Sequence, residues 1–167
     1  MMPKSNVIWI KGYSSSGKTS VAHELKKIML QNDKKVIHLD GDDLRVIFSK
    51  KWGYSRSERE ELGIVYLKLC NHLNSQGFNV IMSAIAMFSN TQNWAKDHIT
   101  NLTEVYLEVP LETRKERDLA TNKNVYLGIQ SKDDQYDIPT SDLTIKNFDH
   151  LTPFDTATMI YKYCYEE

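Results

Sequence analysis

The sequence has few cysteines, no excess of either charge and no long apolar run. Its two cysteines, Cys70 and Cys164, lie far apart without the spacing of a metal site or a disulfide framework, which predicts a protein of the reducing cytoplasm. The 21 basic and 22 acidic residues give a net charge of −1, so we expect neither a nucleic-acid nor a membrane partner. The longest apolar stretch, residues 80–88, is too short to cross a bilayer.

The chain also lacks repeats, low-complexity tracts and any stretch that resembles a linker between domains. At 167 residues it has the length of one domain, and we expect residues 1–167 to form a single one. Short apolar runs alternate with segments of helical periodicity, which predicts an α/β fold, a five-stranded parallel sheet flanked by helices. The predicted strands cover residues 6–10, 35–39, 79–85, 103–109 and 143–145.

Two further predictions concern segments between these strands. Ser57 and Glu60 match a capping box and are expected to open a long helix. Residues 119–139 are polar and follow neither the helical nor the strand period. Because a long irregular stretch within a compact domain is often functional, we expect this segment to form a lid over the site.

Residues 12–19 read Gly-Tyr-Ser-Ser-Ser-Gly-Lys-Thr and match the phosphate-binding motif G-x-x-x-x-G-K-[ST]. A predicted strand precedes the motif and an amphipathic helix follows it, which disfavours the alternative of a chance serine-rich turn. Lys18 can reach the β- and γ-phosphates, and the Thr19 hydroxyl can ligate Mg²⁺, so we predict ATP and Mg²⁺ at this loop. The residues assigned to ATP are Gly12, Ser14, Ser15, Ser16, Gly17, Lys18, Thr19 and Ser20.

Acidic residues follow the second predicted strand. Asp40 and Asp42 lie at the carboxyl end of this strand. The phosphate loop follows the first predicted strand, and residues 83–88 lie at the end of the third. Because ligands bind beyond the carboxyl ends of parallel strands, these three segments should meet in one cleft. Either aspartate can order Mg²⁺ or accept the proton of an attacking hydroxyl, and Arg45 can bind an acceptor's phosphate. The alternative for these acidic residues is a solvent-exposed turn without a function in the site. A GTPase is excluded because Val125 replaces the aspartate of the guanine-recognition motif N-K-x-D.

Taken together, these segments resemble the adenylylsulfate (APS) kinases, over nearly the whole chain to about residue 147. The matching runs are the phosphate loop, Leu-Asp-Gly-Asp-Asp-Leu-Arg at 39–45, Gly-Tyr-Ser at 53–55 with Glu-Arg at 58–59, Glu-Val-Tyr at 104–106 through Pro-Leu-Glu at 110–112 to Arg-Asp at 117–118, Tyr-Leu-Gly-Ile at 126–129 and Asp-Asp-x-Tyr at 133–136. The resemblance implies a P-loop kinase that transfers the γ-phosphate of ATP to the ribose 3′-hydroxyl of a nucleotide. It also implies a possible homodimer.

The resemblance further implies a role for individual residues. Asp40 and Asp42, with Lys18, match the catalytic positions, and Asp42 and Thr19 match those around Mg²⁺. Arg117 matches an arginine that lies against the adenine of ATP. The acceptor-binding positions correspond to Arg45, Arg59, Ile85 and the two tyrosines Tyr54 and Tyr126, which would sandwich the acceptor's base.

The departures from the family pattern lie on the acceptor side. Leu62 stands where the family has an acceptor-binding asparagine, and Ala86 replaces a serine once proposed as a phosphorylated intermediate. The resemblance therefore favours a less negative acceptor, cytidine diphosphoramidate of bacterial capsule biosynthesis, over adenylylsulfate in sulfate assimilation. Two other hypotheses stay open: a non-catalytic ATP-sensing module, and a small-molecule kinase of the shikimate or gluconate type.

Overall fold

The computed structural model describes residues 5–48, 52–126 and 135–166. These segments contain five strands and six α-helices, which alternate except for two consecutive helices after the second strand. In chain order they are β1 (Val7–Lys11), α1 (Lys18–Gln31), β2 (Val36–Asp40), α2 (Gly41–Ile47), α3 (Arg56–Ser75), β3 (Asn79–Ser83), α4 (Ser89–His98), β4 (Leu102–Glu108), α5 (Leu111–Ala120), β5 (Leu143–Lys146) and α6 (Pro153–Tyr165).

All five strands form one parallel sheet in the order β2-β3-β1-β4-β5. Every residue of the central strand β1 and of its neighbour β3 is buried, as expected where helices cover both faces of a parallel sheet. The predicted α/β class and five-stranded parallel sheet are confirmed. A further consequence is that the carboxyl ends of all five strands lie at the same edge.

Side chains that alternate along β1 fill two separate cores. Val7 and Trp9 point to the face covered by α3 and α4, while Ile8 and Ile10 point to the face covered by α1 and α6. This division follows from the two-residue period of a strand. Among the described residues, no helix is long and apolar enough to cross a membrane.

One helix boundary differs from the sequence prediction. The capping box of α3 consists of Ser55 and Glu58, not Ser57 and Glu60. Ser55 accepts a hydrogen bond from the backbone N–H of Glu58, whose carboxylate also accepts from the backbone N–H of Gly53 at 2.9 Å. Both pairs fit the S-x-x-E pattern, and this additional bond favours the earlier start.

The predicted lid is only partly described. Helix α5 continues to Ala120, and the remaining described parts, residues 121–126 and 135–139, contain turns and extended backbone. Residues 127–134, which include Asp133 and Asp134 of the family resemblance, lie outside the described residues.

Candidate active site

The carboxyl edge of the sheet opens into a cleft of about 450 Å³. Ligands of open α/β sheets bind at this edge, beyond the ends of the strands. The phosphate loop, the start of α2, the middle of α3 and the turn after β3 line the cleft. The predicted site residues among its lining are Ser14, Ser15, Gly17, Lys18, Thr19, Ser20, Asp40, Asp42, Arg45, Arg59, Ile85 and Arg117.

The phosphate loop owes its shape to two glycines. Gly17 precedes α1 with φ of 93°, in the left-handed region that glycine adopts without strain. A Cβ on Gly12 would lie 2.5 Å from Oγ of Ser16 and 3.0 Å from the carbonyl oxygen of Leu107. Neither position has room for a side chain. Gly12 and Ser16 therefore form the base of the loop and do not line the cleft.

Polar groups of the loop are placed to receive an anion. The ammonium of Lys18 donates to the carbonyl oxygen of Tyr13 at 2.9 Å, and burial, with the nearby charge of Lys123, lowers the pKa of Lys18 to about 8. The hydroxyls of Ser15 and Ser16 are buried and have no hydrogen-bond partner among the described residues. The N-terminus of α1 adds backbone N–H groups that lack a helical partner. These features fit the phosphates of a nucleotide.

Asp40 is the centre of a hydrogen-bond network between the loop and β2. Its Oδ2 accepts from the hydroxyls of Thr19 and Ser83, each at 2.7 Å, and its Oδ1 accepts from the backbone N–H of Asp42 at 3.0 Å. Burial works to raise the pKa of Asp40, but these three hydrogen bonds hold it below the ordinary value. A ring nitrogen of His38 lies 2.7 Å from the Ser83 hydroxyl and extends the network. The Thr19 hydroxyl and an ionised carboxylate side by side fit a site for Mg²⁺.

Asp42 has a different environment from Asp40. It lies in the first turn of α2, is exposed and lines the cleft. Because Asp42 is exposed in the cleft that Lys18 and Thr19 also line, it is the better placed of the two aspartates to meet a second substrate.

Two arginines, Arg45 and Arg59, are the cationic residues on the predicted acceptor side of the cleft. Arg45 donates to the carbonyl oxygen of Gly53 at 2.6 Å, and its guanidinium lies 3.9 Å from the ring centre of Tyr54. Arg59 donates to Oε1 of Gln135 at 2.9 Å. Both guanidinium groups retain further N–H donors, which suits binding of a phosphate group.

The remaining acceptor side is apolar or aromatic. Leu62 of α3 is 4% exposed and faces the cleft together with Ala84 and Ala86 of the turn after β3. Phe88 and Tyr136, whose ring centres are 5.3 Å apart, close this side. Among the described residues, this side of the cleft therefore has few charged groups beyond Arg45, Arg59 and Asp42.

The structure does not bring Tyr54 and Tyr126 into the cleft. Tyr54 is 75% exposed, packs against Arg45 and lines an adjoining hollow that shares Arg45 and Leu62 with the cleft. Tyr126 is buried; its hydroxyl donates to the carbonyl oxygen of Ser14 at 2.9 Å and accepts from Arg114 at 2.7 Å. In this arrangement the two rings do not face each other across a common space, so their role as a sandwich stays a prediction.

Arg117 lies at the opposite end of the cleft, on α5. Its guanidinium donates to the backbone carbonyl of Asn147 at 2.7 Å, and Leu151 and Pro153 line the same end. A planar guanidinium beside two apolar side chains is suited to a purine ring.

Sequence reasoning placed Ser83 in the cleft only as part of residues 83–88, and it missed Asn147 and His38. Asn147 follows the carboxyl end of β5, so the rule that pointed to Asp40 would also have pointed to it. No sequence pattern pointed to His38. It lies within β2, and its position in the strand does not show which neighbouring side chain its ring contacts.

Comparison with known proteins agrees with this geometry. The family model for adenylylsulphate kinase matches residues 4–145. The cytidine diphosphoramidate kinase of Campylobacter jejuni is 31% identical over 147 residues, covering 84% of this chain and 85% of that protein. The chain belongs to the adenylylsulphate kinase family. It is therefore a kinase, and kinases of this family take their phosphate from ATP with Mg²⁺.

Members of this family that are named for different substrates have similar sequence identity to this chain. A probable adenylyl-sulfate kinase of Pyrococcus abyssi is 28% identical over 163 residues, covering 93% of this chain and 92% of that protein. The family identity therefore leaves the acceptor open.

Solved structures agree on the fold of this adenylylsulphate kinase family member. The APS kinase of Mycobacterium tuberculosis, solved with AMPPNP and APS, superposes with a TM-score of 0.83 at 24% identity, covering 96% of this chain and 97% of that one. Shikimate kinase of Acinetobacter baumannii gives 0.64 at 18% identity, covering 95% and 92%. The P-loop kinase fold is common to both and does not by itself distinguish their acceptors.

Proposed function

We propose that the protein transfers the γ-phosphate of ATP to the ribose 3′-hydroxyl of a modified nucleotide, with cytidine diphosphoramidate as the favoured acceptor. The observation that supports this acceptor is the apolar wall formed by Leu62, Ala84 and Ala86 opposite the phosphate loop. A phosphoramidate has nitrogen where a sulfate has oxygen, so it needs fewer cationic partners. The C. jejuni relative, a cytidine diphosphoramidate kinase, adds support.

In this proposal ATP, the phosphate donor, occupies the donor half of the cleft, which is the part lined by the phosphate loop and Arg117. Lys18 and the backbone of the phosphate loop would hold the β- and γ-phosphates, and Arg117 would lie against the adenine. Thr19, with the Asp40 carboxylate beside it, would hold Mg²⁺, which neutralises charge on the transferred group when bound. Lys18 thus positions and stabilises the phosphoryl group without a covalent step.

The nucleotide that receives the phosphate occupies the acceptor half of the cleft, which is the part lined by Arg45, Arg59 and Leu62. Arg45 and Arg59 would bind its diphosphate portion, and Ile85 would contact it from the turn after β3. Asp42 would accept the proton of the attacking 3′-hydroxyl, while Asp40 orients Thr19 and caps α2. A cytoplasmic location and a homodimer belong to the same proposal.

Two alternatives have specific support. An adenylylsulfate kinase is supported by the retained Arg45 and Arg59 and by the P. abyssi relative, a probable adenylyl-sulfate kinase. A non-catalytic ATP-sensing module would need only the donor half of the cleft. The exposed Asp42 beside Lys18 argues against the sensor, because a sensor has no use for a base at the transfer site.

The test is phosphate transfer from Mg-ATP to a panel of adenylylsulfate, cytidine diphosphoramidate, CDP and AMP, with the products identified by mass spectrometry. A single phosphate added only to cytidine diphosphoramidate would support the proposal. Efficient turnover of adenylylsulfate would replace it with the sulfate-assimilation alternative. Binding of ATP without turnover of any acceptor would favour the sensor.

A further inference from the structure

Asn147 follows β5 and is 5% exposed, yet its side chain and backbone carbonyl contact three separate parts of the molecule. Its Nδ2 donates to the carbonyl oxygen of Ser16 in the phosphate loop at 2.8 Å. Its Oδ1 accepts from the hydroxyl of Thr156 in α6 at 2.6 Å, and its backbone carbonyl accepts from Arg117 in α5 at 2.7 Å. One residue therefore joins the phosphate loop to the end of the cleft that contains Arg117.

The orientation of the Asn147 amide is fixed by its partners. A carbonyl oxygen can only accept a hydrogen bond, so the NH₂ group must face Ser16. The Thr156 hydroxyl then donates to the remaining Oδ1. Both bonds are buried, and loss of either partner would leave a polar group without compensation.

The bond to Ser16 controls the following peptide unit. In a trans peptide the carbonyl and the next N–H point in opposite directions. Because Asn147 holds the Ser16 carbonyl, it also fixes the direction of the Gly17 N–H, one of the groups that can face a phosphate. The side chain of Asn147 lies so close to the loop that a Cβ on Gly17 would be 2.7 Å from its Nδ2.

We propose that Asn147 is a positioning residue for ATP, whose side chain fixes the phosphate loop in its binding conformation and whose backbone carbonyl aligns Arg117 for the adenine. The two halves of the nucleotide site are thereby joined through one residue of the sheet. This inference concerns the donor nucleotide, so it does not depend on which acceptor the protein uses.

The side chain and the backbone of Asn147 serve different halves of ATP, and this difference can be measured. Asn147→Ala removes the bond to Ser16 but keeps the carbonyl that binds Arg117. Inorganic tripolyphosphate probes the phosphate loop alone, and adenosine probes the base site alone. We expect Asn147→Ala to weaken tripolyphosphate binding about tenfold by calorimetry and to change adenosine binding, followed by saturation-transfer NMR, by less than about twofold.

Thr156→Val is the matched control. It removes one buried hydrogen bond from the same amide and should lower the melting temperature, but it leaves the Ser16 bond in place. We expect its tripolyphosphate affinity to stay within about threefold of the wild type. Asn147→Asp, nearly identical in shape, keeps the bond to Thr156 and should also weaken tripolyphosphate binding, because an oxygen would then face the Ser16 carbonyl.

The proposal is overturned if folded Asn147→Ala or Asn147→Asp binds tripolyphosphate like the wild type. It is also overturned if Asn147→Ala weakens both probes equally, or if Thr156→Val weakens tripolyphosphate as much as Asn147→Ala does. Those results would assign Asn147 a purely structural role. Should Asn147→Ala not fold, Asn147→Asp alone decides the question.

Discussion

The hydroxyl of Thr19 donates to the carboxylate of Asp40 across 2.7 Å, and this bond joins the phosphate loop to the carboxyl end of β2. Asp40 also accepts from Ser83 and from the backbone of Asp42, so its oxygens are already used to hold neighbouring groups. Asp42, two residues later, is exposed in the cleft. The two aspartates are therefore expected to perform different tasks.

The first prediction separates those tasks. Asp42→Ala should lower kcat by about 10²- to 10⁴-fold, the usual range for loss of a general base, while ATP affinity stays largely unchanged. Asp43→Ala is the control, because Asp43 is an exposed neighbour on the same helix that does not line the cleft. Steady-state kinetics and ATP titration measure both quantities. Substantial residual turnover in Asp42→Ala would remove Asp42 from the mechanism.

The sequence was sufficient to predict the sheet and the place of the phosphate loop at its carboxyl edge, because both depend on local patterns. Buried parallel strands require apolar runs, and a phosphate loop requires Gly17, Lys18 and Thr19 at fixed spacing. Asp40 and Asp42 followed from their position at a strand end.

The remaining contacts depend on tertiary packing. Nothing local shows that Asn147 reaches Ser16, 131 positions earlier in the chain, or that the Tyr126 hydroxyl binds the Ser14 carbonyl. Residue type and family resemblance were enough to propose Tyr54 and Tyr126 for the acceptor, but their side-chain directions depend on packing that a single sequence does not contain.

The second prediction concerns the acceptor side. Arg59→Ala should raise the acceptor KM about tenfold or more and leave ATP affinity unchanged, because Arg59 lines the cleft opposite the phosphate loop. Arg56→Ala is a suitable control: Arg56 lies one helical turn away and pairs with Glu60 and Asp137 without lining the cleft. Kinetics at saturating ATP give the acceptor KM. An unchanged value in Arg59→Ala would refute the assigned role.

A third prediction follows from the pKa of Lys18, which burial lowers to about 8. The ammonium form binds phosphates, so ATP affinity should be full below pH 8 and fall as the pH rises and the free enzyme loses this proton. At pH 9 we expect about tenfold weaker binding than at pH 7. Calorimetry in two buffers of different ionisation enthalpy should show proton uptake upon binding at that pH.

Lys18→Arg provides the control for this titration. Arginine stays protonated over the whole range, so any residual ATP binding by the variant should not weaken between pH 7 and 9. If the wild type also binds ATP equally at both pH values, Lys18 does not titrate in this range and the prediction is wrong.

The last prediction concerns the buried ion pair of Lys11 and Glu104, whose charged atoms lie 2.6 Å apart. Lys11 also donates to Gln92 at 2.9 Å, and Lys96 lies 3.8 Å from the other oxygen of Glu104. Lys11→Met should lower the free energy of unfolding by about 3–5 kcal/mol, because the buried Glu104 side chain would lose its nearest charged partner. Chemical denaturation measures the change.

A double variant tests whether the cost comes from the unpaired charge. Replacing both members, Lys11→Met with Glu104→Gln, removes the buried charges together and should recover part of the lost stability. Lys27→Met breaks the exposed pair with Glu24, 2.7 Å apart, and should leave stability unchanged within error. If the double variant is less stable than Lys11→Met alone, Glu104 stabilises the fold through Thr140 and Lys96 and not through its charge on Lys11.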